Sequence, residues 1–225
     1  MQVRERDTNT YLANNKYNVV EQGEYRKYET TIWEGENSRQ QTFGYTSPAL
    51  LDIPFYDAIG VSGTIGFDEC GLQSVIQGDH IYNAGFGKQA NAFRTNQTLW
   101  SNYSGTFDIR VEDCKPHVFN EPVNQWFVTT GHYWHYFCED LPIIRALREN
   151  DYPIISNKLK SWQMEALQFF PDILERMIFV DIPAAIHSPE IHVFTHPSIS
   201  NRGKAAKWAV QYLKRNMISD EYAYN

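Results

Sequence analysis

Residues 123–147 of this chain read VNQWFVTTGHYWHYFCEDLPIIRAL. The first part, up to Thr130, is apolar and rich in β-branched and aromatic side chains, which is typical of a buried strand. Gly131 interrupts this run, and the residues from Tyr133 onward follow helical spacing. A strand, a glycine turn and a helix form the first half of a βαβ unit, and ligands of α/β sheets gather at such turns. The stretch therefore predicts both an α/β fold and the position of its site.

The alternation of strand and helix continues through residues 122–217. We predict strands at residues 123–130, 154–155, 176–182 and 190–195, and helices at residues 133–150, 161–170 and 203–217. Ser161 is a candidate cap for the second helix, and Pro142 predicts a kink or a late start in the first. The first helix has a predicted core stripe of Trp134, Phe137, Cys138, Leu141 and Ile144. Strands alternating with helices imply a parallel sheet with helices packed on it.

The chain before residue 122 has a different texture. Residues 1–40 are polar and charged without a clear period, so we expect an extended or irregular arm. Residues 41–121 contain short β-like runs separated by Gly, Asn and Asp, which predicts a β-rich region that packs on the core. Residues 122–217 form the predicted α/β domain, and residues 218–225 a tail. The glycine turn at residues 85–88 lacks the spacing of a phosphate-binding loop.

Composition and charge exclude several functional classes. The chain has 225 residues, 42% of them hydrophobic, and a net charge of −7, so it can fill a sizeable core but has no overall basic character. Its basic cluster on the last predicted helix is explained by a solvated helix face, and we therefore expect no nucleic-acid partner. No apolar run approaches the roughly 20 residues of a membrane span. Three widely spaced cysteines and a polar N-terminus favour a reducing, cytoplasmic location.

The titratable residues after Gly131 are the main candidates for chemistry. On a regular helix, His132, His135 and Glu139 share one face, opposite the predicted core stripe. Three interpretations remain open from these residue types. The first is a general acid/base pair in which Glu139 orients His135. The second is a metal site of two histidines and one carboxylate. The third is structural, with a core histidine bonded to the backbone and with Glu139 and Asp140 as solvated acids of a first helical turn, which the helix dipole favours. We expect no metal.

A second group of histidines comprises His187, His192 and His196. His192 and His196 are predicted to share one face of a strand, where histidines are usually satisfied by local hydrogen bonds. No carboxylate or cysteine pattern accompanies them in the sequence, which argues against a metal site. The turn Thr195-His196-Pro197-Ser198 follows the strand and is a candidate substrate-lining loop.

The order of these motifs resembles that of family 61 glycosyltransferases. The resemblance rests on the apolar strand followed by Tyr133, Trp134, His135, Tyr136, Glu139, Asp140, Leu141 and Pro142. It continues with the segment Trp162-Gln163-Met164-Glu165-Ala166-Leu167, the strand at 176–181, the Pro197-Ser198 loop and the last helix. It spans about residues 60–217. It implies a Rossmann-like parallel sheet with flanking helices, preceded by a β-rich N-terminal region, as one half of a two-domain transferase.

The resemblance also implies an activity and a division of roles. Members of the family transfer a sugar from a nucleotide sugar to a glycan or another hydroxyl acceptor. It suggests His135, Glu139 or Asp140 as the catalytic base, without a choice among them. His132, Tyr133, Trp134, His196 and Ser198 become candidates for substrate binding. No tightly bound cofactor is expected, and the nucleotide sugar is the donor substrate.

The sequence departs from the family pattern after residue 217. The donor-binding half of the family, with its Arg-rich segment and glycine loop, has no counterpart in residues 218–225. We therefore expect the acceptor-side half of an enzyme, completed by a separate donor-binding subunit or by a homo-oligomer. Two alternatives belong to other classes: a non-catalytic carbohydrate-binding or assembly protein on the same half-fold, and a metal-dependent hydrolase built on His132, His135 and Glu139.

Overall fold

The fold is mixed α/β, in a computed structural model that describes residues 2–5, 12–34, 37–47, 49–62, 74–83, 106–108, 114–128, 132–197 and 206–218. Within these residues, eleven strands form one mixed sheet, and two more form a hairpin. The strands are β1 (Gln2–Glu5), β2 (Asn18–Glu21), β3 (Tyr25–Glu34), β4 (Asn37–Thr46), β5 (Leu50–Ser62), β6 (Ser74–Gln77), β7 (His80–Asn83), β8 (Thr106–Asp108), β9 (Lys115–Val118), β10 (Val123–Gln125), β11 (Ile154–Asn157), β12 (Met177–Val180) and β13 (Ala184–Phe194).

Four neighbouring parallel strands form the part of the sheet that carries the site. They lie in the order β12-β11-β10-β13, so β10 lies between β11 and β13. Asn124 of β10 is in register with Ile154 on one side and with His192 on the other. All three residues of β10 are buried, as expected for a strand that is covered on both faces. The parallel arrangement predicted from alternating strands and helices is confirmed for these four strands.

The helices follow the parallel strands. They are α1 (Tyr133–His135), α2 (Ile144–Leu147), α3 (Ser161–Leu167), α4 (Pro171–Leu174) and α5 (Lys207–Met217). A π turn at Tyr136–Asp140 and a 3-10 turn at Leu141–Ile143 join α1 to α2 without a break, and we call the whole segment 133–147 the site helix. In α3, which is the second predicted helix, the N-cap is Lys160 and not the predicted Ser161. The backbone N–H of Lys160 donates to Gln163 Oε1 at 2.8 Å.

The π turn has a local cause in the sequence. Leu141 N–H bonds to the carbonyl of Tyr136, five residues back, instead of four. Pro142 has no N–H to donate, and its ring disfavours the carbonyl four residues earlier. The regular hydrogen-bond ladder therefore cannot pass residue 142, and the helix widens before it. The predicted kink at Pro142 takes this form.

Two hydrophobic clusters form the core, one on each side of the parallel strands. Trp126 belongs to the cluster that contains the buried side chains of α2, α3 and α4, which we call the helix-side cluster. Phe127, the next residue, belongs to the cluster built with β5, β6, β7 and β13, which we call the strand-side cluster. In β11, Ile154 belongs to the helix-side cluster and Ile155 to the strand-side cluster. This alternation is the strand period of two, and it embeds β10 and β11 in the core.

Long antiparallel strands connect the N-terminal β-rich region to the parallel strands. β5 pairs with β13 from Asp52 opposite Phe194 to Ser62 opposite Ala184. The predicted regions 41–121 and 122–217 therefore share one sheet. β2, from the predicted arm, also pairs with β5, and the proposed boundary at residue 40 falls within β4.

Several predicted element bounds are wrong in detail. The first helical segment ends at Leu147, three residues before the predicted end. β13 begins at Ala184, not at residue 190, because Ser188 and Pro189 interrupt the apolar pattern that the prediction used. β10 ends at Gln125, and residues 126–128 do not continue the predicted strand. Residues 129–130 of that prediction lie outside the described residues, as do Gly131 and the glycine turn at 85–88.

Candidate functional site

The site lies where the chain leaves two neighbouring parallel strands in different directions. The site helix comes after β10, and the Thr195–Pro197 segment follows the carboxyl end of β13, the strand beside β10. β10 has β11 on its other side, so the strand order reverses between β10 and β13. Ligands of open α/β sheets bind in the crevice outside the carboxyl ends of strands at such a switch point. Residues from the two segments meet there.

His135 and Glu139 form a hydrogen-bonded pair on the site helix. His135 Nδ1 lies 2.9 Å from Glu139 Oε1. The Glu139 side chain is 3% exposed and that of His135 is 28% exposed, so the imidazole is the member that reaches solvent. A neutral His135 that donates Nδ1–H to Glu139 keeps the Nε2 lone pair as a proton acceptor. The predicted acid/base pair therefore has the required geometry.

Asp140 and His196 lie behind this pair, inside the protein. Asp140 is fully buried, and His196 Nε2 lies 4.0 Å from Asp140 Oδ1, too far for a hydrogen bond. Burial lowers the pKa of His196 to about 4, and the charge of His135 adds to the decrease. His196 is therefore a neutral imidazole near pH 7. The structure brings His196 to Asp140 but leaves neither at the surface.

Thr195 belongs to the predicted substrate-lining loop, but its role in anchoring the chain just before His196 was not predicted. Its hydroxyl donates to the Ala49 carbonyl at 2.7 Å and accepts from Leu51 N–H at 2.8 Å. These bonds tie the end of β13 to the start of β5, more than 140 residues earlier in the chain. A threonine before His-Pro gives no sequence signal for such a distant partner.

Three aromatic or imidazole side chains at the start of the site helix are exposed. Trp134 is 37% exposed and meets the His135 ring edge-on, with centroids 5.2 Å apart. The His132 ring lies 6.0 Å from that of His135. Tyr133 is 67% exposed and packs against Phe137 and Trp162. Trp134 therefore does not belong to the core stripe, and that prediction was wrong. The predicted substrate-binding residue Ser198 lies outside the described residues.

Some buried residues of the site helix lie outside the predicted core stripe, and the interpretation of Glu139 and Asp140 as solvated acids is wrong. Tyr136, Glu139 and Asp140 are buried, whereas Phe137 and Cys138 are only partly covered. The π turn changes the angular spacing after Tyr136, so a regular 3.6-residue period assigns these faces incorrectly. The Tyr136 hydroxyl donates to the Gln163 carbonyl at 3.1 Å and thereby joins the site helix to α3. Leu141 and Ile144 are buried as predicted.

An apolar cavity of about 630 Å³ opens on another side of the site helix. Its lining includes Tyr133 and Phe137 but not His135 or Glu139, and it continues onto α3 and α5 through Trp162, Phe169, Leu213 and Met217. Cys138 also lines it, and burial followed by the charge of Glu139 raises the pKa of its thiol to about 11. A thiol with this pKa is protonated near pH 7 and is a poor nucleophile.

His192 belongs to a separate polar group beside β10, where it is in register with Asn124. Its Nδ1 lies 2.6 Å from Asp52 Oδ1, and its Nε2 lies 3.0 Å from Glu190 Oε1. The expectation that no carboxylate accompanies the second histidine group was wrong, because Asp52 is distant in sequence and Glu190 was not weighed. Both ring nitrogens face carboxylates, so the arrangement is an ion-pair cluster rather than a metal site. His192 and His196 do not form one site.

Comparison with known proteins leaves the chain without assigned relatives. No family model matches the sequence, and neither the curated proteins nor the solved structures give a match.

Among the residues that the structure describes, His, Cys, Asp and Glu side chains nowhere form a group of three suited to a metal ion. No helix in the same residues combines the length and hydrophobicity needed to cross a membrane.

Proposed function

We propose that this chain is the acceptor-side half of a glycosyltransferase, which moves a sugar from a nucleotide sugar to a hydroxyl acceptor. The observation that carries the proposal is the His135 imidazole, which is bonded through Nδ1 to buried Glu139 and reaches solvent beside exposed Trp134. The motif resemblance to family 61 glycosyltransferases supplies the reaction type. The parallel order β12-β11-β10-β13 supports a Rossmann-like half-domain, because doubly wound folds begin with this order.

The proposed step is a direct displacement at the anomeric carbon. The acceptor oxygen attacks that carbon while its proton passes to His135 Nε2, and the bond from the carbon to the nucleotide phosphate breaks. The nucleotide leaves with the electron pair of that bond. Glu139 then stabilises the imidazolium that His135 becomes, as a carboxylate does in other histidine–acid pairs.

The geometry favours His135 over the two carboxylates as the base. Glu139 and Asp140 are buried, so an acceptor in solvent cannot contact them directly. Glu139 orients His135, and Asp140 lies beside His196 in the interior. The exposed rings of Trp134 and Tyr133 suit a carbohydrate acceptor, because sugars stack on aromatic faces.

A second candidate function is carbohydrate binding without catalysis. The observation that favours it is the same exposed aromatic surface, formed by Tyr133 and Trp134. In addition, His135 is the one member of the His135–Glu139 pair that reaches solvent. The donor-binding partner belongs only to the first candidate. Glycan binding is common to both candidates, and transfer distinguishes them.

The test uses binding and transfer together. The purified chain is titrated with a panel of oligosaccharides by calorimetry, beside Trp134→Ala and the control Val118→Ala, which removes an exposed side chain of β9 opposite His187. We expect binding that weakens at least tenfold in Trp134→Ala only. The tagged chain, isolated from its host with its bound partners, is then incubated with nucleotide sugars and the bound glycan.

The transfer experiment compares His135→Gln with His187→Gln, a histidine outside the site. Transfer that is lost only in His135→Gln supports the enzyme. Glycan binding without transfer by the wild-type complex supports the second candidate. Absence of both glycan binding and transfer contradicts both candidates.

A further inference from the structure

β12 is an edge strand with apolar side chains exposed on both of its faces. It pairs with β11 on one side, and no strand of the described residues pairs with its other side. Ile178 is 40% exposed and Phe179 41%, although successive side chains of a strand point to opposite faces. Ile182, just beyond the strand, is also 40% exposed. Natural edge strands are usually protected by lysine, proline or a bulge, and β12 contains none of these.

The backbone of β12 presents a defined set of groups at this edge. Ile154 N–H bonds to the Arg176 carbonyl at 2.9 Å, and Ile155 is in register with Ile178. In a parallel pair, alternate residues direct their amide groups to the neighbour. Ile178 and Val180 therefore face β11, whereas Met177, Phe179 and Asp181 direct their N–H and C=O groups outward.

We propose that β12 pairs antiparallel with β12 of a second copy of this chain, about a two-fold axis at Phe179. A two-fold axis that continues the sheet leaves each side chain on its own face, so residues opposite each other are both odd or both even in number. With the axis at Phe179, Ile178 of each copy faces Val180 of the other. Met177 faces Asp181, and the two Phe179 residues face each other. Every outward amide group from Met177 to Asp181 then has a partner.

The charges around β12 favour this register and this occupant. An axis at Ile178 instead places Glu175 opposite Asp181, and like charges directly opposite are destabilising. The axis at Phe179 leaves no two like charges opposite each other. A second copy also covers both exposed faces at once, because its own Ile178, Phe179 and Val180 extend the apolar rows on each side. The strand is thus complementary to itself with the axis at Phe179, and less so with the axis at Ile178.

The test measures the mass of the full chain in solution. Sedimentation equilibrium over a range of concentrations is expected to give a dimer for the wild type and for Tyr17→Lys, whose side chain is 40% exposed outside β12. Phe179→Lys is expected to raise the dimer dissociation constant at least tenfold. Ile178→Lys provides the same test on the other face if Phe179→Lys does not fold.

Cross-linking tests the position of the axis. Phe179→Cys is expected to form a disulfide-linked dimer under mild oxidation. Tyr17→Cys and the wild type carry the native cysteines and are not expected to form such a dimer. A wild-type chain that stays monomeric, as it does if the edge binds a different protein, overturns the proposal. A dimer that persists in both lysine variants, or a Phe179→Cys chain that cross-links no faster than Tyr17→Cys, also overturns it.

Discussion

The groups around two buried histidines of this chain shift their pKa values in opposite directions. His196 is surrounded by the packed end of β13 and the site helix, and burial lowers its pKa to about 4. For His192, burial alone lowers the pKa, but Asp52 and Glu190 outweigh that effect and raise it. Residue type gives both the same ordinary pKa, so only the fold distinguishes them.

The first residue-scale prediction concerns acid stability. The pKa of His196 is 6.5 in the unfolded chain and about 4 in the folded chain. Between these pH values the unfolded chain binds more protons, so the free energy of unfolding falls as the pH drops. At 1.36 kcal/mol per pKa unit, the loss is about 3 kcal/mol. The control His187→Gln is expected to keep this loss in urea unfolding, and His196→Gln to lack most of it. Equal pH slopes in the two variants contradict the prediction.

The second residue-scale prediction has the opposite sign. The raised pKa of His192 stabilises the fold below the unfolded value of 6.5, and this contribution disappears as pH rises through the folded value. His192→Gln, which cannot carry the charge, should therefore cost more stability at about pH 6 than at about pH 9. Urea unfolding at the two pH values measures the difference. The groups that face the ring are Asp52, Glu190 and the Tyr152 ring. A cost that is independent of pH contradicts the raised pKa of His192.

At the scale of elements, the site helix is anchored by residues different from those that its period suggests. Tyr136 is fully buried, and its hydroxyl reaches α3, whereas Trp134 projects beyond the sheet beside His135. Arg148, just after the helix, binds both oxygens of Asp172 at 2.7 Å and the Tyr212 hydroxyl at 2.7 Å. These contacts join α2, α4 and α5 and hold the helix layer behind the site.

The element-scale prediction compares the two aromatic residues. Tyr136→Ala removes a buried ring and should lower the free energy of unfolding by about 3–5 kcal/mol, as large core truncations do. Trp134→Ala removes a partly exposed ring and should cost less than about 1.5 kcal/mol. Urea unfolding of both variants provides the measurement. A larger cost for Trp134→Ala would restore the regular helical stripe and remove Trp134 from the proposed binding surface.

The elements with uniform periodicity were predictable from sequence. Apolar runs gave β10, β11 and β12, and the predicted helix at residues 203–217 contains α5. The faces of the site helix were not predictable, because Pro142 shifts the hydrogen bonds of residues that precede it. The His135–Glu139 pair survived this error, since both residues lie within about one turn and stay adjacent when the turn widens.

At the scale of the whole molecule, the site depends on contacts between distant parts of the chain. β13 pairs with β5 along its length, and Thr195 bonds to both Ala49 and Leu51. These bonds fix the segment that places His196 against Asp140. The partners of Thr195 and His192 lie about 140 residues away, and a single sequence contains no signal for such pairings. Among the described residues, the segments that follow β10 and β13 bring His135, Glu139, Asp140 and His196 together.

The most direct measurement of the account follows the imidazole and indole nitrogens of the ¹⁵N-labelled chain by NMR during titration with an oligosaccharide that it binds. We expect free His135 to carry its proton on Nδ1, and the glycan to shift His135 Nε2 and Trp134 Nε1 while leaving His187 unchanged. Glu139→Gln should alter the His135 tautomer without unfolding the chain. A His135 protonated on Nε2 in the free protein, or a bound glycan that shifts neither His135 nor Trp134, contradicts the proposed site.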